Sequence, residues 1–249
     1  MKFTATTPGA ALIIFLAGFL HISFITLRPA KLKKQDDPIY LAEHPASTAF
    51  PPAESALLAV YDSLQNELTD LNRVAFENAI AGYTRLIRQG KIQNNHLLTI
   101  IDFSQPSIRK RLYVIDLHQP GLLIHTLAAH GRNSGKYAAV SFSNRPESYK
   151  SSPGFYLTGE TYYGKNGYSL RLDGLNKGIN DKALQRGIVL HGAAYVSETL
   201  AATQGYIGRS QGCPAVPLQE TNQLIRLIKN GSLVYIYHPD WAEKTSLVN

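Results

Sequence analysis

From residue 96 onward the apolar residues change period, and this limits the possible folds more than any other feature of the chain. HLLTIIDFS (96–104), RLYVIDLH (111–118) and LLIHTLAAH (122–130) are short, β-branched and apolar. Gln105-Pro106-Ser107 and Gln119-Pro120-Gly121 stand between them as turns. Runs of this length and composition, bounded by Pro and Gly, read as strands. Further short strands are expected at 154–160, 168–173 and 187–191. Residues 218–229 read as an amphipathic helix with Leu224, Ile225 and Ile228 inward, and LVYIYH (233–238) as a last strand after the break at Gly231. Upstream, Leu57, Tyr61, Leu64, Leu68 and Leu71 recur at helical steps. Phe76, Ala79, Ile80, Tyr83 and Ile87 form a second stripe, with Thr69 or Asp70 as the expected cap and Gly90 as the stop. The expected body is therefore mostly β (α+β) over 91–249, preceded by a helical N-terminal extension at 54–90.

The N-terminus follows other rules. Residues 10–27, AALIIFLAGFLHISFITL, are apolar apart from His21, Ser23 and Thr26. As a helix this run would span about 27 Å, close to the hydrocarbon thickness of a bilayer. Lys2 precedes it, and Arg28, Lys31, Lys33 and Lys34 follow. Residues 1–34 read as a signal peptide or a membrane anchor, with export to the periplasm or cell envelope as the consequence. The stretch 28–53 holds five prolines and mixed charge, so 35–53 is expected to be a linker. The net charge of +7 resides mainly here, because the first 34 residues carry five of the 25 basic side chains and no acidic one. The rest is nearly neutral and has no basic face, which argues against nucleic acid as a partner.

A single cysteine, Cys213, excludes an internal disulfide and the cysteine-rich zinc sites. His125 and His130 are five apart in an expected strand and face opposite ways, so no shared metal is expected, and no cofactor. The chemistry concentrates in IVLHGAAYVSE (188–198) and GRSQGCPAVP (208–217). A cysteine nucleophile needs a base, oxyanion donors and open backbone. His191 can be the base. The backbone N–H groups of Gln211, Gly212 and Cys213 can be the donors, since a glycine turn lets successive amides converge. A nearby helix start would lower the thiol pKa. Against this, a lone cysteine is often just a small buried hydrophobe.

The order His191-Gly192, about twenty residues, then Ser210-Gln211-Gly212-Cys213 resembles the signature of the L,D-transpeptidase (YkuD-type) catalytic domain. The block SFSNRPESYKSSPGFYLTGETYYGKNGYSLRLDGL (141–175) is similar to one murein L,D-transpeptidase subgroup, as are HGAAYV and GRSQGCPA. The resemblance covers roughly residues 92–240 and implies a YkuD-like β-sandwich with a few helices. It implies a reaction in which Cys213 attacks a peptidoglycan tetrapeptide stem, forms a thioester and passes the acyl group to a neighbouring stem, with His191 moving the protons. Stem peptides would be both donor and acceptor. Water as acceptor would instead make the protein an L,D-carboxypeptidase, and loss of turnover would leave an envelope peptidoglycan-binding module. Ser210, Gly192, Arg209, Tyr156 and Tyr162 are expected to bind substrate or line the site. Many members carry Arg or Asn two positions after the nucleophile. Ala215 stands there here, so the contact to the stem carboxylate is open among Arg209, Arg171 and Arg186. Papain-like peptidases place Cys before His, and sortases need a Thr-Leu-x-Thr-Cys pattern that this chain lacks.

Overall fold

The computed structural model describes residues 54–246. The expected signal or anchor at 1–34 and the linker at 35–53 lie outside these residues. Two helices come first, α1 (Glu54–Ser63) and α2 (Arg73–Arg88). The strands follow as β1 (Leu97–Asp102), β2 (Lys110–Asp116), β3 (Gly121–Leu127), β4 (Gly154–Gly164), β5 (Gly167–Gly174) and β6 (Val189–Gly192). After them come α3 (Glu198–Gln204), β7 (Ala215–Val216), α4 (Leu218–Ile228) and β8 (Leu233–Tyr237). A 3₁₀ turn at Pro239–Trp241 and α5 (Ala242–Ser246) close the described chain.

All eight strands belong to one sheet, in the order β3-β2-β1-β8-β4-β5-β6-β7. The pairs β1–β8 and β6–β7 are parallel, and the other neighbours are antiparallel. Just past β3, the Ala129 amide donates to the Ala215 carbonyl of β7 at 2.7 Å. The two sheet edges thus meet and the sheet curls into a barrel-like layer pair. The expected two layers of β structure are parts of this one sheet.

Alternation along the strands sorts two cores. Leu98, Ile100, Tyr113, Ile115, Phe155, Leu233 and Tyr235 face outward under the two N-terminal helices. Leu97, Ile101, Leu112, Val114, Tyr156, Val234 and Ile236 face inward, where Leu224, Ile225 and Ile228 of α4 fill the curl. Covered on both faces, β1 is buried along its whole length. That is why its sequence is a continuous apolar run and not an alternation.

The boundary expected at residue 91 separates two sequence periods, not two cores. Phe76, Ala79, Ile80 and Tyr83 of α2 pack in the same cluster as the outer strand residues. The cap of α2 differs from the expected Thr69 or Asp70. Asn72 holds that position, its side chain accepting from the Val74 amide at 2.8 Å. Leu64, Leu68 and Leu71 are buried but lie in the turns between the helices, not on α1.

Candidate active site

His191 lies on β6, and Cys213 lies in the loop that leads into β7, the neighbouring strand at one edge of the sheet. β6 carries His191 opposite Ala215 of β7, and the His191 amide reaches the Pro214 carbonyl at 3.4 Å. Cys213 immediately precedes that proline. Its Sγ lies 3.7 Å from the Gly187 carbonyl, and the Val189 amide also points at the sulfur. Val189 stands two positions before His191 on one extended strand, about 6.6 Å away. The sulfur thus rests against the start of the short strand that carries the imidazole.

The imidazole is nearly sealed, at 4% exposure. Its Nδ1 pairs with the Gly192 carbonyl at 3.0 Å. That contact places the proton on Nδ1 and leaves Nε2 with the lone pair a base needs. The contact also fixes the orientation of the ring. Gly192 itself does not line a site. It is buried against Thr221 and Leu218 of α4, and its contribution is the carbonyl. Burial holds His191 below its ordinary pKa, with the Gly192 bond opposing.

The cysteine loop is braced from within. The Ser210 hydroxyl accepts from the Gly212 amide at 3.0 Å and donates to the Cys213 carbonyl at 2.6 Å. This removes Gly212 from the expected oxyanion donors, because its N–H is spent inside the loop. The Gln211 amide has no such partner among the described residues, and the Cys213 amide is turned toward its own sulfur. Ser210 shapes the loop and is itself buried. Gly212 has φ +124°, and a β-carbon there would sit 2.9 Å from the Lys150 carbonyl and 3.2 Å from Arg186 Nη2. Only glycine fits both constraints.

The loop is also clamped from outside. The Ser210 amide donates to the His130 carbonyl at 3.0 Å, and the Arg132 amide to the Ser210 carbonyl at 2.8 Å. Ser151 donates to the Gly212 carbonyl and accepts from the Gly131 amide, both at 3.0 Å. His130 is locked in turn by Arg111 at Nδ1 (2.8 Å) and by the Gly135 carbonyl at Nε2 (3.2 Å). His125 instead stacks on Tyr113 and bonds the Lys110 carbonyl. Among the described residues, no group of three His, Cys, Asp or Glu is placed to hold a metal.

The thiol departs from expectation. Burial raises the Cys213 pKa, and the Val189 amide, the Arg186 charge, its own amide and Lys165 only partly offset this. Nor does a helix begin at the thiol, because α4 starts five residues later behind Pro217. With the imidazole also held neutral, the resting pair is thiol plus imidazole, not a preformed thiolate–imidazolium.

Tyr156 does not line the site either. It is 1% exposed in the inner core, its hydroxyl donating to the Ser152 carbonyl at 2.9 Å. Tyr162 is half-buried on β4, under the Arg171 guanidinium at 4.8 Å. It pairs with Ser169, which pairs with His191, so all three share one face of the sheet. Arg209 is exposed and rests loosely on the carbonyls of Arg132 and Gly135 at 3.3 and 3.4 Å. Arg186 spends its donors on the protein, at Ser143, Ser148, Lys150 and Ser152. Sequence reasoning missed Ser151 and Ser152 as site-building residues. Their signal is two serines directly before Pro153-Gly154 at the start of a strand.

A model of the L,D-transpeptidase catalytic domain matches residues 67–237 of this chain. A comparison with curated proteins finds no match. Solved structures with partial likeness include an L,D-transpeptidase from Mycobacterium smegmatis, with 12% identity, 57% of this chain and 59% of that chain covered, and a TM-score of 0.37. A mutant of the helical cell shape determining protein Pgp2 from Campylobacter jejuni has 14% identity, coverage of 57% and 47%, and a TM-score of 0.37. An L,D-transpeptidase (Yku) from Stackebrandtia nassauensis has 13% identity, coverage of 74% and 90%, and a TM-score of 0.35. The chain thus spans less than two thirds of the length of the first two.

Proposed function

The chain belongs to the L,D-transpeptidase catalytic-domain family, and from that premise we propose that it is a cysteine-dependent murein L,D-transpeptidase acting on peptidoglycan tetrapeptide stems. One observation carries the reading. His191, pinned through Nδ1 to the Gly192 carbonyl, stands on the strand against which the Cys213 sulfur rests.

The steps follow from that pair. Nε2 of His191 takes the thiol proton as Sγ attacks the carbonyl carbon of the third stem residue. The Gln211 and Cys213 amides are the donors left to meet the developing oxyanion. Collapse breaks the bond to the terminal D-Ala, whose amine leaves with the proton from His191, and a thioester remains. An amine from a neighbouring stem then gives up a proton to His191, attacks the thioester and releases the thiol. The product is a 3–3 crosslink. Because the resting pair is neutral, ionisation and attack are coupled, and His191 acts as a general base.

Export to the periplasm, with residues 10–27 as signal or inner-membrane anchor, is part of this proposal, since the substrate lies in the cell wall.

The test is product analysis with a disaccharide-tetrapeptide. Protein lacking residues 1–34 is expected to yield crosslinked dimer, and Cys213→Ala neither dimer nor tripeptide. Equal product from both proteins would remove Cys213 as nucleophile. Tripeptide without dimer at high acceptor concentration would make the activity an L,D-carboxypeptidase.

A further inference from the structure

Arg186 lies three residues before the start of β6, and its half-buried side chain reaches back across the cysteine loop. Nη1 donates to the Ser143 carbonyl at 2.8 Å and the Ser152 hydroxyl at 2.5 Å. Nη2 donates to the Lys150 carbonyl at 2.5 Å and the Ser148 hydroxyl at 3.4 Å. One guanidinium thus gathers the whole 143–152 segment. In that segment Glu147 and Tyr149 hold positive φ angles of 56° and 54°, which side chains larger than glycine rarely adopt. A segment bent this way needs an external tie to keep its shape.

The same Nη2 comes within 3.2 Å of where a β-carbon on Gly212 would stand, against the residue preceding Cys213. All four of its hydrogen-bond acceptors are neutral, and no carboxylate among the described residues forms an ion pair with it. The guanidinium therefore stays a full, uncompensated cation beside the thiol. The other groups near the sulfur differ. Lys165 is exposed at the tip of the β4–β5 hairpin, and His191 is neutral. Tyr156 and Tyr195 stay protonated, because burial pushes both hydroxyls up. A half-buried charge acts through a lower effective dielectric than an exposed one and is screened less by salt.

We propose that Arg186 is a positioning residue for the reaction, which fixes the 143–152 segment against the cysteine loop and supplies the permanent positive charge that stabilises the Cys213 sulfur as its proton passes to His191. This rests on Cys213 being the nucleophile. It removes Arg186 from the candidates for stem-carboxylate recognition, because its donors are committed to the fold.

The chain has one cysteine, so iodoacetamide alkylation against pH reads this thiol alone, with no need for turnover. Arg186→Gln is expected to raise the alkylation midpoint by about one pH unit, a tenfold loss of thiolate at fixed pH below the midpoint. Arg186→Lys keeps the charge and is expected to shift it less, and Lys165→Gln less again. In turnover, Arg186→Gln is expected to lower kcat at least tenfold with KM nearly unchanged. An Arg186→Gln midpoint equal to the parent's, equal shifts for Lys and Gln, or a rise in KM at unchanged kcat would each overturn the proposal. Should Arg186→Gln not fold, the parent protein still decides. Its midpoint is expected to hold steady from low salt to ~1 M, and a marked upward drift with salt would assign the charge effect to exposed Lys165 instead. Activity retained by Cys213→Ala would mark the separate failure of the nucleophile assignment.

Discussion

Burial favours the neutral forms of both Cys213 and His191, and for Cys213 it outweighs the opposing charge of Arg186. The alkylation midpoint of the parent protein is therefore expected above the ordinary cysteine value of ~8.5, not below it. The acid limb of the activity profile should lie below ~6.5, the ordinary histidine value, because burial keeps His191 unprotonated and able to act as base. A midpoint well below 8.5 would contradict the burial argument. His130 gives a stability counterpart, with its pKa depressed to about 3, first by burial and then by Arg111. The unfolded chain takes up a proton below ~6.5 that the folded chain refuses until about 3. Its contribution is thus complete above ~6.5 and falls away as the pH drops through that window. His130→Asn should flatten the acid side of a stability–pH curve measured by denaturant unfolding. The candidate pair could be named from the sequence, because thiol and imidazole are residue types able to serve as nucleophile and base and the flanking glycines signal an unusual turn. The Gly192 carbonyl, the spent Gly212 amide and the sealed Tyr156 were not legible, because each depends on where the backbone of another segment arrives.

Elements were legible in proportion to their burial. β1, β2 and β8 are buried almost throughout, so they appear as apolar runs, while β3 is only half-buried and is apolar on the strength of its own leucines and isoleucine. α2 and α4 each bury one stripe, and both helices appear in the sequence by their period. β7 has only two residues, Ala215 and Val216, and gives no periodic signal. α3 buries none of its side chains and so has no stripe, though Ser197 caps it at the start and Gly205 closes it in the left-handed conformation. Those caps were the available signal. The packing of α2 gives two expectations for denaturant unfolding. Phe76→Ala, fully buried between α2 and the sheet, should cost ~3–5 kcal/mol. Asn72→Ala, which removes only the cap bond, should cost ~1 kcal/mol. Equal losses would mean that α2 is held by its ends and not by its face.

At the scale of the whole molecule, the helices at 54–90 and the strands share one outer core, and the sheet they cover ends in the β6–β7 edge that carries the site. A chain beginning at residue 91 would expose Leu98, Ile100, Tyr113 and Tyr235 to water. It is expected to lose cooperative thermal unfolding, whereas a chain beginning at residue 54 should keep it. The claim on which the rest depends is that this edge builds a thioester on one sulfur. Intact-mass spectrometry of the protein mixed with tetrapeptide stems and no acceptor tests it directly. The expected result is an adduct equal to the stem minus its terminal alanine, mapped to Cys213 and absent in Cys213→Ala. An unmodified protein that still turns over the stem, or an adduct that persists in Cys213→Ala, would contradict it.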